Sequence, residues 1–136
     1  MGLDSYIEST SIEKYALLQE DDESIDWEEE QYYRKWHMLN TWIGWHCNPI
    51  SPGEDWNCMR IRITKDHAEE LSNLLKDELD YFLKRTDVSY LLLDTEMYDA
   101  SDKDDVDYIK ERVNQLTSLL DNFDFDNRVL TYMGWW

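Results

Sequence analysis

The sequence is poor in the residues that interrupt or cross-link a chain. Its 136 residues include only four glycines, two prolines and two cysteines. Two cysteines do not form a disulfide framework for a chain of this length, and we expect Cys47 and Cys58 to be free thiols, although a loop between them would permit a bridge. The apolar runs are far shorter than the roughly 20 residues of a membrane span, and the start, MGLDSY, does not resemble a secretory signal.

Basic residues are also scarce, with 13 Lys and Arg against 31 Asp and Glu and a net charge of −18. Proteins that bind nucleic acid or anionic lipid neutralise phosphates with Lys and Arg, so we expect no direct nucleic-acid partner and no membrane partner. The favourable partners of such a chain are basic surfaces. Length and a hydrophobic fraction of 42% predict one globular domain over residues 1–136.

Periodicity predicts a small α+β fold. Alternating or continuous apolar residues predict strands at 2–8, 58–63, 88–93 and 128–136, with 88–93 as a central strand. Helices are predicted at 11–19, at 31–47, from a Thr64 cap to about residue 84, and from a Ser101 cap to about residue 120. The order of these elements favours about four mostly antiparallel strands, with about three helices packed on one face.

The segment 20–30 is the most acidic part of the chain, with eight carboxylates in eleven residues. Self-repulsion predicts a mobile segment at about 19–30. Alternatively, Glu28, Glu29 and Glu30 favour the first turn of the following helix, where the helix dipole attracts negative charge.

The predicted helix at 31–47, QYYRKWHMLNTWIGWHC, is the most aromatic part of the chain. One stripe has the spacing of a buried helical face and consists of Tyr32, Trp36, Leu39 and Ile43. A second stripe lies beside it and consists of Met38, Trp42 and Trp45. This second stripe faces either the sheet or a partner.

No motif indicates a metal site or a catalytic site. The candidate metal ligands do not have the pairwise spacing that zinc requires; they are His37, His46, Cys47, Cys58 and His67. The chain also lacks a Gly-rich phosphate loop, a nucleophile elbow and a Cys–His dyad at recognisable spacing. We therefore expect a non-enzymatic protein without catalytic residues, metal or cofactor.

Four stretches resemble a group of small acidic bacteriophage and prophage proteins. They are MGLDSY at 1–6, YYRKWHMLNTWI at 32–43, the step from Asp55 to Cys58, and ITKDHAEELSNLL at 63–75. The positions that fit the pattern of the group are Gly2, Asp4, Tyr32, Arg34, Lys35, Trp42, Asp55 and Cys58. The resemblance implies a phage accessory protein in the host bacterial cytoplasm, and it implies no particular chemistry.

Acidity on rigid helices suggests how such a protein would act. Residues three or four apart on a helix lie about 5–6 Å apart, so rows of carboxylates can imitate a nucleic-acid backbone. We hypothesise that the protein binds and inhibits or modulates a basic, nucleic-acid-handling host protein, such as a defence nuclease, by DNA mimicry. The acidic residues predicted to bind this partner are Asp21, Asp22, Glu23, Glu28, Glu29, Glu69, Glu70, Asp77, Asp80, Asp102, Asp104, Asp105 and Asp107.

Aromatic side chains usually supply most of the affinity at a protein interface. The predicted aromatic anchors are Trp42, Trp45, Trp135 and Trp136. The alternative hypothesis is a small dimeric structural or ligand-binding module, with the second stripe as its seam and acidity serving only solubility. Whether the protein is a monomer or a homodimer therefore stays open.

Overall fold

The computed structural model describes residues 2–17, 26–48 and 56–136. The chain divides into two compact units. The first consists of Met1–His67 and Phe123–Trp136, and the second consists of Ala68–Asn122. Within the described residues the fold contains a four-stranded antiparallel sheet and four helices, of which three are ten residues or longer. The predicted α+β class is confirmed. The segment 18–25, which includes most of the predicted mobile segment, lies outside the described residues.

The first unit contains the whole sheet. Its elements are β1 (Asp4–Ser11), α1 (Ile12–Ala16), β2 (Glu28–Arg34), α2 (His37–His46), β3 (Arg60–Ile63) and β4 (Arg128–Trp135). The strand order is β2-β1-β4-β3, and each neighbouring pair is antiparallel. The first and last strands of the chain are therefore the two central strands of the sheet.

Alternation along β1 selects the buried face of the sheet. Leu3, Ser5 and Ile7 are buried, as the sequence pattern predicts. The register places Ile7 opposite Tyr132 on β4, and Tyr132 opposite Ile61 on β3. This row of apolar side chains crosses three strands and forms the centre of the core in this unit.

The predicted helix at 31–47 is wrong in its first part. Residues 28–34 form β2, whose backbone groups pair with β1, and the helix begins only at His37. Lys35 turns the chain between the two elements with a left-handed φ of 59°, and its N–H donates to the carbonyl of Leu3. Tyr32 is therefore an exposed strand residue, whereas the remaining members of its predicted stripe are buried.

This correction also changes the position of Glu28, Glu29 and Glu30. They lie in an edge strand and not in the first turn of a helix. Charged side chains on an edge strand oppose pairing with a strand of another chain. The interpretation of these glutamates as partners of a helix dipole is therefore wrong.

The second unit contains most of α3 (Lys65–Leu83) and all of α4 (Lys103–Asn122). The Thr64 hydroxyl accepts the N–H of His67 at 3.2 Å and begins α3, as predicted. The predicted cap of α4 is displaced by one residue, because the Asp102 carboxylate, and not Ser101, accepts the N–H of Asp104 at 2.9 Å.

The predicted central strand at 88–93 is absent from the described chain, where residues 87–100 contain no strand. The reason is a buried carboxylate. Glu78 accepts the N–H of Leu91 at 3.0 Å, of Leu92 at 2.9 Å and of Leu93 at 3.1 Å. One side chain satisfies three consecutive backbone donors, so Leu92 and Leu93 are buried without a neighbouring strand, whereas Val88 and Leu91 stay exposed.

Asp121 joins the last turn of α4 to α3. Its carboxylate accepts hydrogen bonds from Lys76 at 2.7 Å and from the Ser72 hydroxyl at 2.6 Å. The Lys76 bond, followed by the Ser72 bond, lowers the pKa of Asp121 below its ordinary value. The charged form of Asp121 therefore stabilises the folded state.

We expect Asp121→Asn to lower the free energy of unfolding at pH 7 by about 1 kcal/mol or less, because the pair is partly exposed. The contribution of Asp121 is complete above its unfolded pKa of about 3.9 and is lost as the pH falls through the lower folded pKa. Urea unfolding from pH 7 to pH 2.5 will therefore show the two proteins converging below about pH 4. A difference that stays constant over this range would contradict the assignment, and Asp126→Asn is the exposed control.

Candidate protein-binding site

Three acidic side chains form a row on the exposed side of α4. Asp104, Asp107 and Glu111 are exposed and follow the spacing i, i+3, i+7. We call them the acidic row. Neighbours in the row lie about 5–6 Å apart, and the row rises about 10 Å along the helix axis. Glu111 extends the row by one helical turn beyond Asp107.

The carboxylates predicted on α3 form two separate pairs and not a continuous row. Glu69 and Glu70 lie in its first half, Asp77 and Asp80 lie in its second half, and all four are exposed. Asp80 forms an ion pair with Lys84 at 3.0 Å, one turn further along. An exposed pair of this kind contributes about 0.3–0.5 kcal/mol, so it leaves much of the charge of Asp80 available to a partner.

Asp102 and Asp105 accept hydrogen bonds from nearby backbone N–H groups. Asp102 accepts the N–H groups of Asp104 and Asp105, and Asp105 in turn accepts the N–H of Asp99 at 2.9 Å. Short acidic side chains commonly satisfy backbone donors before a helix. These two predicted partner-binding residues thus support the start of the helix that carries the acidic row.

The remaining predicted carboxylates do not lie on α3 or α4. Glu28 pairs with Arg128 at 2.8 Å on the sheet, and Glu29 lies opposite Glu8. Both belong to the first unit. The predicted residues Asp21, Asp22 and Glu23 lie outside the described residues.

The four predicted aromatic anchors differ in accessibility. Trp45 and Trp135 are 80% and 59% exposed, whereas Trp42 is 4% exposed and stacks on His46. Trp136 is partly buried, and its ring contacts Trp56 with centroids 4.8 Å apart. Trp45 and Trp135 therefore offer most of the accessible area, and a dimer seam would have to use Trp45 because Trp42 offers almost none.

An open cleft of about 530 Å³ lies in the second unit. Its walls come from the end of α3 and from the irregular segment that follows, with contributions between Phe82 and Ala100. We call it the loop cleft. The sequence pattern did not reveal it, because the run at 88–93 favours a strand. The length of the connection between α3 and α4 is the feature that could have indicated a site. A long connection without regular structure inside a compact unit is uncommon and often functional.

The loop cleft adjoins the start of α4. The ring of Tyr98, which lines the cleft, stacks on Tyr108 of α4 with centroids 5.3 Å apart. The N–H of Asp99, another lining residue, donates to Asp105. Two contacts thus join the cleft wall to the first turns of the helix that carries the acidic row.

Hydrogen bonds and burial shift the pKa values of two groups that line the loop cleft, Asp99 and Tyr90, in opposite directions. Bonds from the backbone N–H and the hydroxyl of Ser101 lower the pKa of Asp99. Burial, followed by the negative charges of Glu78 and Asp87, raises the pKa of Tyr90. The Tyr90 hydroxyl donates to the carbonyl of Thr86 at 3.2 Å, so this phenol supports the loop.

The described residues contain no group of three or more His, Cys, Asp or Glu side chains arranged to hold a metal ion. Cys47 and Cys58 are free thiols, the first buried and the second exposed. No helix in the described part of the chain has an apolar stretch long enough to cross a bilayer.

These features define a small acidic α+β protein with a carboxylate row beside an open cleft. Comparison with known protein families, with curated proteins and with solved structures finds no match.

Proposed function

We propose that the protein is a non-enzymatic phage accessory protein that binds a basic, nucleic-acid-handling host protein in the bacterial cytoplasm and inhibits or modulates it. The acidic row on α4 is the observation that supports this function most directly, since its three carboxylates are exposed on a rigid element. The resemblance to phage proteins supplies the biological setting. Occupation of a nucleic-acid-binding surface supplies the mechanism.

The spacing of the acidic row suits imitation of a single strand. Its carboxylates follow one another at about 5 Å along the helix axis, whereas phosphates of one DNA strand follow at about 3.4 Å and those of the duplex at about 1.7 Å. The row therefore resembles one strand at reduced charge density. The net charge of −18 adds long-range attraction toward a basic partner and accelerates association at low salt.

The test is capture of a basic host protein from bacterial lysate by the wild-type chain and by the triple variant D104N/D107N/E111Q. We expect the variant to retain less than about one tenth of the captured protein, because three charge-assisted contacts are lost. Capture should decrease steeply between about 50 mM and 500 mM salt, as screening shortens the range of the interaction. Added duplex or single-stranded DNA should compete for the captured protein.

The matched control neutralises three exposed carboxylates of the first unit in the variant E13Q/D26N/D126N. Both triple variants lose the same amount of charge, so they separate a specific surface from bulk acidity. Equal loss of capture in both variants, capture that is insensitive to salt, or absence of competition by nucleic acid would each contradict the proposal. Circular dichroism of each variant should show the helix content of the wild type.

A further inference from the structure

We propose that the loop cleft binds an arginine side chain of the basic partner and thereby anchors it beside the acidic row. The inference rests on the proposed function and assigns a subsite to it. It follows from a concave surface that combines carboxylates with aromatic and apolar side chains, and each of these features matches one part of an arginine side chain.

Charge in the loop cleft favours a cation. Three carboxylates line it, those of Asp87, Glu96 and Asp99, against the single cation of Arg85. Within the described chain, the carboxylates of Asp87 and Glu96 make no hydrogen bond or ion pair. The oxygens of these two carboxylates can therefore accept hydrogen bonds from a guanidinium, whereas Asp99 already accepts two hydrogen bonds from Ser101.

The apolar part of the lining suits the aliphatic stem of a long basic side chain. Met97 lines the cleft and is 72% exposed, so its side chain is accessible to a ligand. Tyr90 and Tyr98 line the same cleft. Arginine places its methylene groups on such surfaces while its head remains near polar groups, and methionine adapts its shape to the side chain it contacts.

Arginine fits better than lysine for two physical reasons. Its planar guanidinium bonds carboxylates with two parallel N–H groups, and it stacks on tyrosine rings. Lysine offers a compact, strongly hydrated charge that gains less from an aromatic wall. The volume of about 530 Å³ lies within the range of about 300–1,000 Å³ for ligand sites, so it admits the side chain together with part of the backbone that carries it.

NMR titration of the full chain with N-acetyl-arginine-N-methylamide tests the inference. We expect shifts of the amides between residues 85 and 100 and a dissociation constant of about 1 mM, as suits a single side chain. The citrulline analogue has the same shape without charge, and it should bind about tenfold more weakly or not at all. The blocked lysine should bind more weakly than the blocked arginine.

The variant D87N/E96Q should weaken arginine binding about tenfold, whereas E69Q/D77N, which removes two exposed charges of α3, should leave it unchanged. D87N/E96Q should also reduce capture of the host protein. Equal binding of arginine and citrulline, or wild-type affinity in D87N/E96Q, would overturn the inference. Tighter binding of free L-arginine than of the blocked form would overturn it as well, because the ligand would then be an amino acid.

The two proposals fail in different ways. If the cleft variant captures the host protein as well as the wild type while D104N/D107N/E111Q does not, the arginine subsite is wrong and the proposed function stands. If no basic protein is captured by any variant although arginine still binds, the proposed function is wrong, and the cleft is then not a partner subsite.

Discussion

Glu78→Ala is expected to lower the free energy of unfolding by about 3 kcal/mol, because it leaves three buried or half-buried backbone donors without their acceptor. Glu78 is 2% exposed and accepts the N–H groups of Leu91, Leu92 and Leu93. Glu78→Gln should cost about 1–2 kcal/mol, since its oxygen still accepts from two donors while its NH₂ group faces the third. Urea unfolding measures both changes.

Hydrogen exchange separates a local effect from a global one. The amides of Leu91, Leu92 and Leu93 should lose protection in Glu78→Gln before those of the β1–β4 ladder. Glu69→Gln is the control, because this glutamate is exposed on the same helix, and it should change the free energy of unfolding by less than about 0.5 kcal/mol. A Glu78→Gln protein with the stability of this control would show that the carboxylate does not organise the loop.

We expect Gly134→Ala to lower the free energy of unfolding by about 3 kcal/mol, through overpacking combined with a lost hydrogen bond. A Cβ at this position would lie 2.3 Å from Asn40 Oδ1 and 3.1 Å from the Tyr132 hydroxyl. Asn40 cannot withdraw freely, because its oxygen accepts the Tyr132 hydroxyl at 2.6 Å. The single Tyr132 proton is thereby used, so Ser5 donates to Tyr132 at 2.8 Å.

The matched control is Gly2→Ala, whose added Cβ would meet only Lys35 at 3.7 Å, an ordinary contact distance. Thermal unfolding should place Gly134→Ala about 10 °C below the wild type and Gly2→Ala close to it. Equal melting temperatures for the two variants would show that the strand can shift to accommodate the methyl group. Such a result would remove the Ser5–Tyr132–Asn40 chain from the determinants of stability.

The candidate site was only partly predictable. Asp104 and Asp107 follow from helical periodicity and net charge, because α4 is long and regular. The loop cleft was not predictable, because its wall depends on Glu78 bonding a segment that begins 13 residues later. The sequence shows that Leu92 and Leu93 are apolar, but it does not show which group accepts the hydrogen bonds of their backbone N–H groups.

The aromatic anchors were also only partly predictable from the sequence. A count of tryptophans identifies Trp42, Trp45 and Trp135 as candidates, but only the folded chain separates the exposed pair from the buried Trp42. Trp136 is positioned by hydrogen bonds that the sequence pattern does not predict. Asn57 donates to its carbonyl at 2.7 Å and accepts its N–H at 2.9 Å, so one side-chain amide fixes the end of β4.

Local information alone specifies the α+β class, the helices α3 and α4, the strand β4 and the strongly acidic character. Each of these depends on a regular spacing of apolar residues or on a simple sum of charges. Tertiary structure decides between strand and helix at 28–36, and between strand and loop at 88–93. In both segments the local sequence suits either state, and the partner of the backbone decides. This partner is the strand β1 for the first segment and the buried carboxylate of Glu78 for the second.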